Sequence, residues 1–244
     1  MVSIDLHVHS EFSPCSLLSL SDVIRVLNGG NLSALAITDH NRIEGAQILR
    51  QRFSLPIIIG EEIETLEGEI IGLFLQQAIP AGMSLETTIK AIKQQGGLVY
   101  LPHLGDWTRG KGKSLSFAAA RRVINWVDIV EIFNARTYLP RIESKAKELI
   151  QKHQVVGAVA SDAHSLKELG RGVMGLRRYP RSAKELPFLL KTAAVLRTRR
   201  TPPWERTAVS LKARLGLRFK KRSACSLPGQ EIDTTGCYGQ KNIP

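Results

Sequence analysis

Residues 34–64 read ALAITDHNRIEGAQILRQRFSLPIIIGEEIE, and this stretch decides the fold. Ala34 to Thr38 is a short apolar run, the pattern of a strand buried on both faces. Ile43 to Arg52 spaces its apolar residues at helical period. Pro56 to Gly60 is a second short apolar run, closed by a glycine. Strand, helix and strand in this order make a crossover unit, which lays the two strands parallel. Both strands end in groups that hold protons or metals: Asp39, His40 and Asn41 after the first, Glu61, Glu62 and Glu64 after the second.

Outward from this unit the alternation continues. Further strands are expected at Val2 to Leu6, Leu98 to Leu101, Val127 to Phe133 and Val155 to Ala160. Helices are expected at Leu20 to Leu27, Leu85 to Gln95, Phe117 to Asn125, Leu139 to His153 and Ala183 to Leu196. Ser19 to Asp22 and Ser84 to Thr87 offer caps for two of these helices. ETLEGEIIGLFL, within Glu62 to Leu75, breaks the rhythm and reads as a hairpin turning at Glu67 and Gly68, inserted after the third strand. Repeated β/α units of this number imply an α/β barrel or an open doubly wound sheet.

The chain has 244 residues, 43% hydrophobic and 23% charged, ordinary values for a globular domain and not for a disordered or fibrous chain. Its net charge is +12. Arg197 to Pro244 holds eleven Lys or Arg against three acids, which puts +8 there and +4 in the rest. Two parts are therefore expected: a globular body over 1–197 and a basic, poorly ordered tail over 198–244 that suits nucleic acid or an acidic partner. One further amphipathic helix is expected near Ala208 to Leu215. The three cysteines are widely spaced, no apolar run spans a bilayer and no leader is legible, so a cytoplasmic protein without a disulfide framework is expected.

Five of the six histidines, His7, His9, His40, His103 and His164, stand at the carboxyl ends of expected strands. Loops at those ends converge on one face of a β/α fold. In IDLHVHS, alternation puts His7 and His9 on one side of a strand, as two imidazoles sharing a metal require. In IIIGEEIE the crowded carboxylates repel one another unless a cation or proton intervenes. LVYLPHL adds His103, and VGAVASDAH adds Asp162 and His164, an oxygen and a nitrogen donor two residues apart. Imidazole with carboxylate suits zinc, manganese or iron.

With DLHVHS, TDHN, GEEIE, PHL, FNAR and SDAH in this order over residues 1 to about 175, the chain resembles the polymerase and histidinol phosphatase (PHP) family of metal-dependent phosphoesterases. The resemblance implies a distorted (β/α)7 TIM-like barrel with metals at its carboxyl-end mouth. It implies a first metal on His7, His9, Glu62 and Asp162, with Glu62 bridging to a second that also takes His40, and a third on His103, Asn134 and His164. Two or three divalent ions are thus expected. Where many relatives place Asp or His beyond the first motif this chain has SEFSPCS, so Cys15 is a candidate ligand. Glu69 in the hairpin is a remote substitute and is not adopted.

A phosphate ester repels anionic nucleophiles and gathers charge on its nonbridging oxygens as it reacts; two ions about 4 Å apart answer both problems by activating a shared water and clamping the oxygens. The nucleophile is therefore expected to be a metal-bound hydroxide, with Glu62 and Asp162 acting through it. Arg109, Arg136 and Arg171, in loops after strand ends, are candidate phosphate holders because a guanidinium fork binds two oxygens at once. The expected substrate is a small phosphomonoester, phosphodiester or nucleotide. A nuclease that uses the tail and a hydrolase of an amide-like carbon centre are the alternatives.

Overall fold

The computed structural model describes residues 1–215; the remainder of the expected tail, 216–244, lies outside the described residues. In chain order the elements are β1 (Val2–Val8), α1 (Leu20–Asn28), β2 (Ala34–His40), α2 (Glu44–Phe53), β3 (Ile57–Thr65), β4 (Gly68–Leu73), α3 (Leu85–Gln94) and β5 (Leu98–Leu101). There follow α4 (Phe117–Val123), β6 (Ile129–Asn134), α5 (Pro140–His153), β7 (Val156–Ala160), β8 (Gly172–Leu176), α6 (Glu185–Leu190), β9 (Ala194–Thr198) and α7 (Pro203–Arg214). The caps read from the sequence are in place: Ser19 and Asp22 form a reciprocal capping box on α1, and Ser84 accepts from the Thr87 amide at the start of α3.

One sheet contains every strand of the described residues, in the order β7-β6-β5-β4-β3-β2-β1-β8-β9. β1, β2 and β3 are mutually parallel, as are β5, β6 and β7. The inserted hairpin strand β4 runs against both β3 and β5. The sheet curls until β1 meets the end of β7. Val8 bridges to Ala163, and the His9 amide donates to the Ala163 carbonyl at 2.9 Å. The barrel is thus nearly closed by seven strands, with β8 and β9 continuing beyond β1.

Two apolar layers hold this shape. Outside, Leu35, Ile37, Ile57 and Val99 pack against Val23, Leu49, Ile89 and Val123 from the surrounding helices. Inside, Ala36, Ile58, Ile71, Tyr100, Ile129 and Ala158 pack together with Leu186, Leu189 and Leu190 of α6. Each large aliphatic side chain removed from water in these layers contributes about 1.5–3 kcal/mol. α6 seals the amino-terminal end of the barrel. Strand period 2 then carries the same inward faces toward the open end, from Ala36 to His40, from Ile58 to Glu62 and from Ile129 to Glu131.

Two elements differ from the sequence reading. The helix expected over Ala183 to Leu196 is only six residues long, Glu185–Leu190, because Ala194 to Thr198 instead pairs with β8 as strand β9. β8 itself escaped notice because two of its five residues are glycine, which lowers strand propensity. The structure requires one of them. A Cβ on Gly172 would stand 2.2 Å from the carbonyl carbon of Ala160.

The described part of the expected tail is fastened to the barrel. Thr201 N donates to Ala135 O at 2.8 Å and Arg200 donates to Asn134 O at 2.8 Å. Arg206 donates to Arg136 O at 3.0 Å, and Glu205 pairs with Arg171 at 2.7 Å. α7 begins at Pro203, five residues before the helix read from the sequence. Among the described residues no helix is long and apolar enough to cross a membrane.

Gly172→Ala is expected to lower stability by about 1–3 kcal/mol, the usual cost of overpacking, because the methyl meets backbone that cannot swing aside. Urea unfolding measures it. An unchanged midpoint would show that β8 does not approach β7 this closely.

Candidate metal centre

The inward faces converge at the carboxyl-end mouth on the carboxylate of Glu62. Around it stand His103 Nε2 at 2.8 Å, His9 Nε2 at 3.2 Å, His40 Nδ1 at 3.3 Å and His7 Nε2 at 3.5 Å. Asp162 lies 3.6 Å from His7 Nε2 and 3.4 Å from His9 Nε2. Four sets of donor atoms each fall within 4.8 Å of one another: His7, His9 and Glu62; His7, His103 and Asp162; His9, His40 and His164; and His40, Glu62 and Glu69. His7, His9, Glu62, His103 and Asp162 are almost wholly buried. Backbone geometry is unusual here, since Asn41, His103 and Asp162 are non-glycine residues at positive φ, 54°, 30° and 54°. Such strain persists where surrounding structure enforces it and clusters at functional sites.

The donor set fits divalent cations. His7 Nε2 and His9 Nε2 are 3.1 Å apart, so without a cation between them one ring must turn a proton toward the other's lone pair. His40 Nδ1 and Glu69 Oε1 are buried without a hydrogen-bond partner among the described residues. Burial alone would lower His7, yet Asp162, Glu62 and Glu131 hold it well above the usual histidine range. Burial would raise Glu62, but His7, His40 and the hydrogen bond from His103 hold it well below the carboxylate range. Burial, then the Glu62 charge, pushes Glu69 up to about 10, and burial pushes His40 down to about 3. Carboxylates and imidazoles packed this closely are the donors a divalent cation takes, and its charge is the largest such a site can hold.

The grouping differs from the one the resemblance implies. His164 stands with His9, ring centroids 4.2 Å apart, and with His40, whereas His103 reaches Glu62; the two do not share a cluster. The Asn134 amide is engaged within the protein. Its nitrogen donates to Glu131 at 2.8 Å and Asp162 at 3.2 Å, and its oxygen accepts from Arg109 at 3.0 Å and from the Arg136 amide at 2.8 Å. Cys15 belongs to none of the donor clusters, and burial with the Glu62 charge pushes its thiol up to about 12.

Glu69, set aside in the sequence, joins the cluster because the hairpin turns at Leu66 and Glu67. Thr65 then pairs with Gly68, Glu64 with Glu69 and Glu62 with Ile71, making Glu69 the diagonal neighbour of Glu62, within reach of long side chains. A turn one residue later would carry it a further pair away.

Glu131 was missed by the sequence reading. Its Oε1 is 3.1 Å from His7 Nδ1 and accepts from Tyr100 at 2.9 Å, and its Oε2 accepts from the His103 amide at 2.7 Å. A carboxylate on the far nitrogen fixes a histidine's tautomer and turns the other nitrogen toward a metal. The signal was present as an acid inside an apolar strand, VEIFN. Asp5, on the same strand as His7, does not join the cluster. It accepts the amides of Ser161 and Gly170, each at 3.0 Å, and ties the loop after β7 to β1.

Of the three arginines, two border the centre. Arg109 lies 2.6 Å from Asp162 and pairs with Asp106 at 3.3 Å. Arg136 is buried against His164 and lies 3.4 Å from Glu168. Arg171 is used elsewhere: its three nitrogens donate to Lys167 O, Arg200 O and Glu205.

No protein-family model matches the chain. Two uncharacterized proteins of Methanocaldococcus jannaschii are relatives. One is 36% identical over 170 residues, covering 69% of this chain and 68% of that protein. The other is 38% identical over 145 residues, covering 54% and 81%. A two-domain Bacteroides vulgatus protein containing a predicted PHP-like metal-dependent phosphoesterase superposes with a TM-score of 0.64 at 17% identity. That alignment covers 80% of this chain but 64% of the other, so this chain spans under two thirds of that protein's length. A Bifidobacterium adolescentis protein described provisionally as a metal-dependent phosphoesterase gives 0.57 at 16% identity, covering 79% and 97%. A Chromobacterium violaceum amidohydrolase gives 0.56 at 17%, also covering 79% and 97%. At such identities the likeness is one of fold.

Burial would raise Asp162, but Arg109 and then His7 hold it well below the carboxylate range. A depressed acid contributes stability that is present above its unfolded value, near 3.9, and lost as pH falls through the folded one. Arg109→Met leaves that carboxylate buried without its partner and is expected to cost about 3–5 kcal/mol at pH 7, with the deficit narrowing below about pH 4. Denaturant unfolding of metal-free protein across this range measures it; a deficit independent of pH would remove the pairing as its cause.

Proposed function

The chain belongs to one family with the two archaeal proteins and carries the fold of PHP-like metal-dependent phosphoesterases, and from that premise we propose that it is a metal-dependent hydrolase of phosphate esters. The observation that carries this reading is the convergence of five imidazoles and two further carboxylates on Glu62, bordered by buried guanidinium groups. His7, His9, Glu62 and Asp162 would hold one divalent ion, with His40, Glu69, His103 and His164 completing the neighbouring positions. Ions bound there would acidify water to a nucleophile near neutral pH and neutralise charge on phosphoryl oxygens. Zinc, manganese and iron all suit these donors.

The protein's own groups prepare that chemistry. Glu131 and Tyr100 hold His7 in one orientation, and Glu131 also fixes the His103 backbone. Arg109 keeps Asp162 ionised, and Arg136 presents cationic charge beside His164, where a phosphate oxygen would be stabilised. The mouth is lined by rigid strand ends, so donors do not reorganise when charge develops.

The fold is shared with a protein described as an amidohydrolase, so attack at a carbon centre is the second reading. Hydrolysis of phosphomonoesters against amides by the manganese- or zinc-loaded protein separates them. His7→Ala and Asp162→Ala are each expected to reduce turnover at least about 100-fold, beyond what loss of a supporting group costs, and Glu62→Gln to be at least as severe. A loss of only a fewfold, with the fold intact by circular dichroism, would exclude these residues as ligands.

A chain ended at Leu215 retains every group proposed for the centre and is expected to keep full turnover on a small ester. One ended at Thr198 removes the anchors on Asn134, Ala135 and Arg136 and is expected to lose activity. Equal activity of the two would show that α7 has no part in holding the mouth.

A further inference from the structure

The segment SEFSPCS, Ser10 to Ser16, follows directly on His9, and none of its residues belongs to the donor clusters of the described residues. It wraps instead around Asp39. The Oδ1 atom of that residue accepts from the Ser10 amide at 2.7 Å and from the Ser13 hydroxyl at 2.5 Å, and its Oδ2 accepts from the Ser10 hydroxyl at 2.6 Å. The same carboxylate lies against the first turn of α2, where a Cβ on Gly45 would stand 2.8 Å from Oδ2, and a helix start favours negative charge. His9, Ser13 and Asp39 are all fully buried.

A hydroxyl has one proton to give and two lone pairs with which to accept. The Ser13 proton goes to Asp39. Its oxygen then faces the His40 backbone amide at 3.1 Å, which can only donate, and His9 Nδ1 at 3.3 Å. With the hydroxyl proton committed, the contact with His9 is a hydrogen bond only if Nδ1 carries the proton. In a neutral ring Nε2 is then left with its lone pair, aimed at Glu62, Asp162 and His7. His7 reaches the same state by a different route, with Glu131 on its Nδ1. Two lone pairs 3.1 Å apart repel each other and suit one cation that both can bind.

We propose that Ser13, backed by Asp39, is a positioning residue for metal binding: its oxygen holds His9 with the proton on Nδ1 and at the same time fixes the backbone of His40, so that donors carried by β1 and β2 are set together. This rests on the metal-centre reading and adds to it a support that acts through a hydroxyl where His7 has a carboxylate.

The test reads the zinc affinity of the full chain by competition with a chromophoric chelator, with no ester present. Ser13→Ala is expected to weaken zinc binding about 10–100-fold, the usual cost of removing a group that orients a ligand, and Ser13→Thr, which keeps the hydroxyl, to recover most of the loss. Glu11→Ala alters the same segment without touching the relay, since Glu11 accepts only the Leu20 amide at 2.9 Å, and is expected to leave the affinity unchanged. The hydrogen bond itself is read in the zinc-loaded protein by long-range correlation of imidazole protons and nitrogens. The His9 Nδ1 proton is expected to exchange slowly in the unaltered chain and in Ser13→Thr, and fast in Ser13→Ala. Zinc binding by Ser13→Ala as tight as that of the unaltered chain, or an equal loss in Glu11→Ala, overturns the proposal and leaves the metal centre standing. Failure of the unaltered chain to bind zinc overturns both. Zinc binding that depends on Ser13 in a protein that hydrolyses no phosphate ester supports the positioning role and overturns the reaction.

Discussion

Glu62 sits where five imidazoles and two other carboxylates meet, and the fold is organised around making that burial tolerable. An isolated buried carboxylate is prohibitively costly, so every element at the mouth contributes a compensating group. β1 brings His7 and His9, β2 brings His40, and β4 returns Glu69. The strand ends after β5 and β7 add His103, Asp162 and His164. Arg109 balances Asp162 from outside the cluster. Burial and then the Glu62 charge push Glu69 upward, and Lys113 Nζ stands 3.1 Å from its Oε1.

The parts of this arrangement that were legible in the sequence are those governed by local periodicity. Strand ends bearing His7, His9, His40 and Glu62 are visible because apolar runs stop at them, and the alternation of strand and helix brings such ends to one face. Register is not local. Glu69 is close to Glu62 only because the hairpin turns at Leu66 and Glu67, and a shift of one residue in that turn, invisible to composition, changes which acids are neighbours. β8 and β9 were hidden for a related reason: Gly172 and Gly175 read as a loop, and the requirement for glycine comes from the approach of β7, a contact between distant segments.

Charged residues illustrate the same divide. Arg109, Arg136 and Arg171 all follow strand ends and are indistinguishable by position, yet one balances Asp162, one faces His164 and one fastens α7 through Glu205. Glu131 shows the opposite case. An acid in the middle of an apolar strand has no place in a core unless a partner waits for it, and here the partner is His7 Nδ1.

The bridge between Val8 and Ala163 bears on how the protein matures. His7 and His9 lie on and just after β1, while Asp162 and His164 follow more than 150 residues later. Until the ends of the sheet join, the early donors form an open, partial site of low affinity, since a preformed site rarely exists before folding is complete. Joining strands so distant in sequence is intrinsically slow. A donor set split between the first strand and the loop after β7 is complete only once the ends of the sheet have joined.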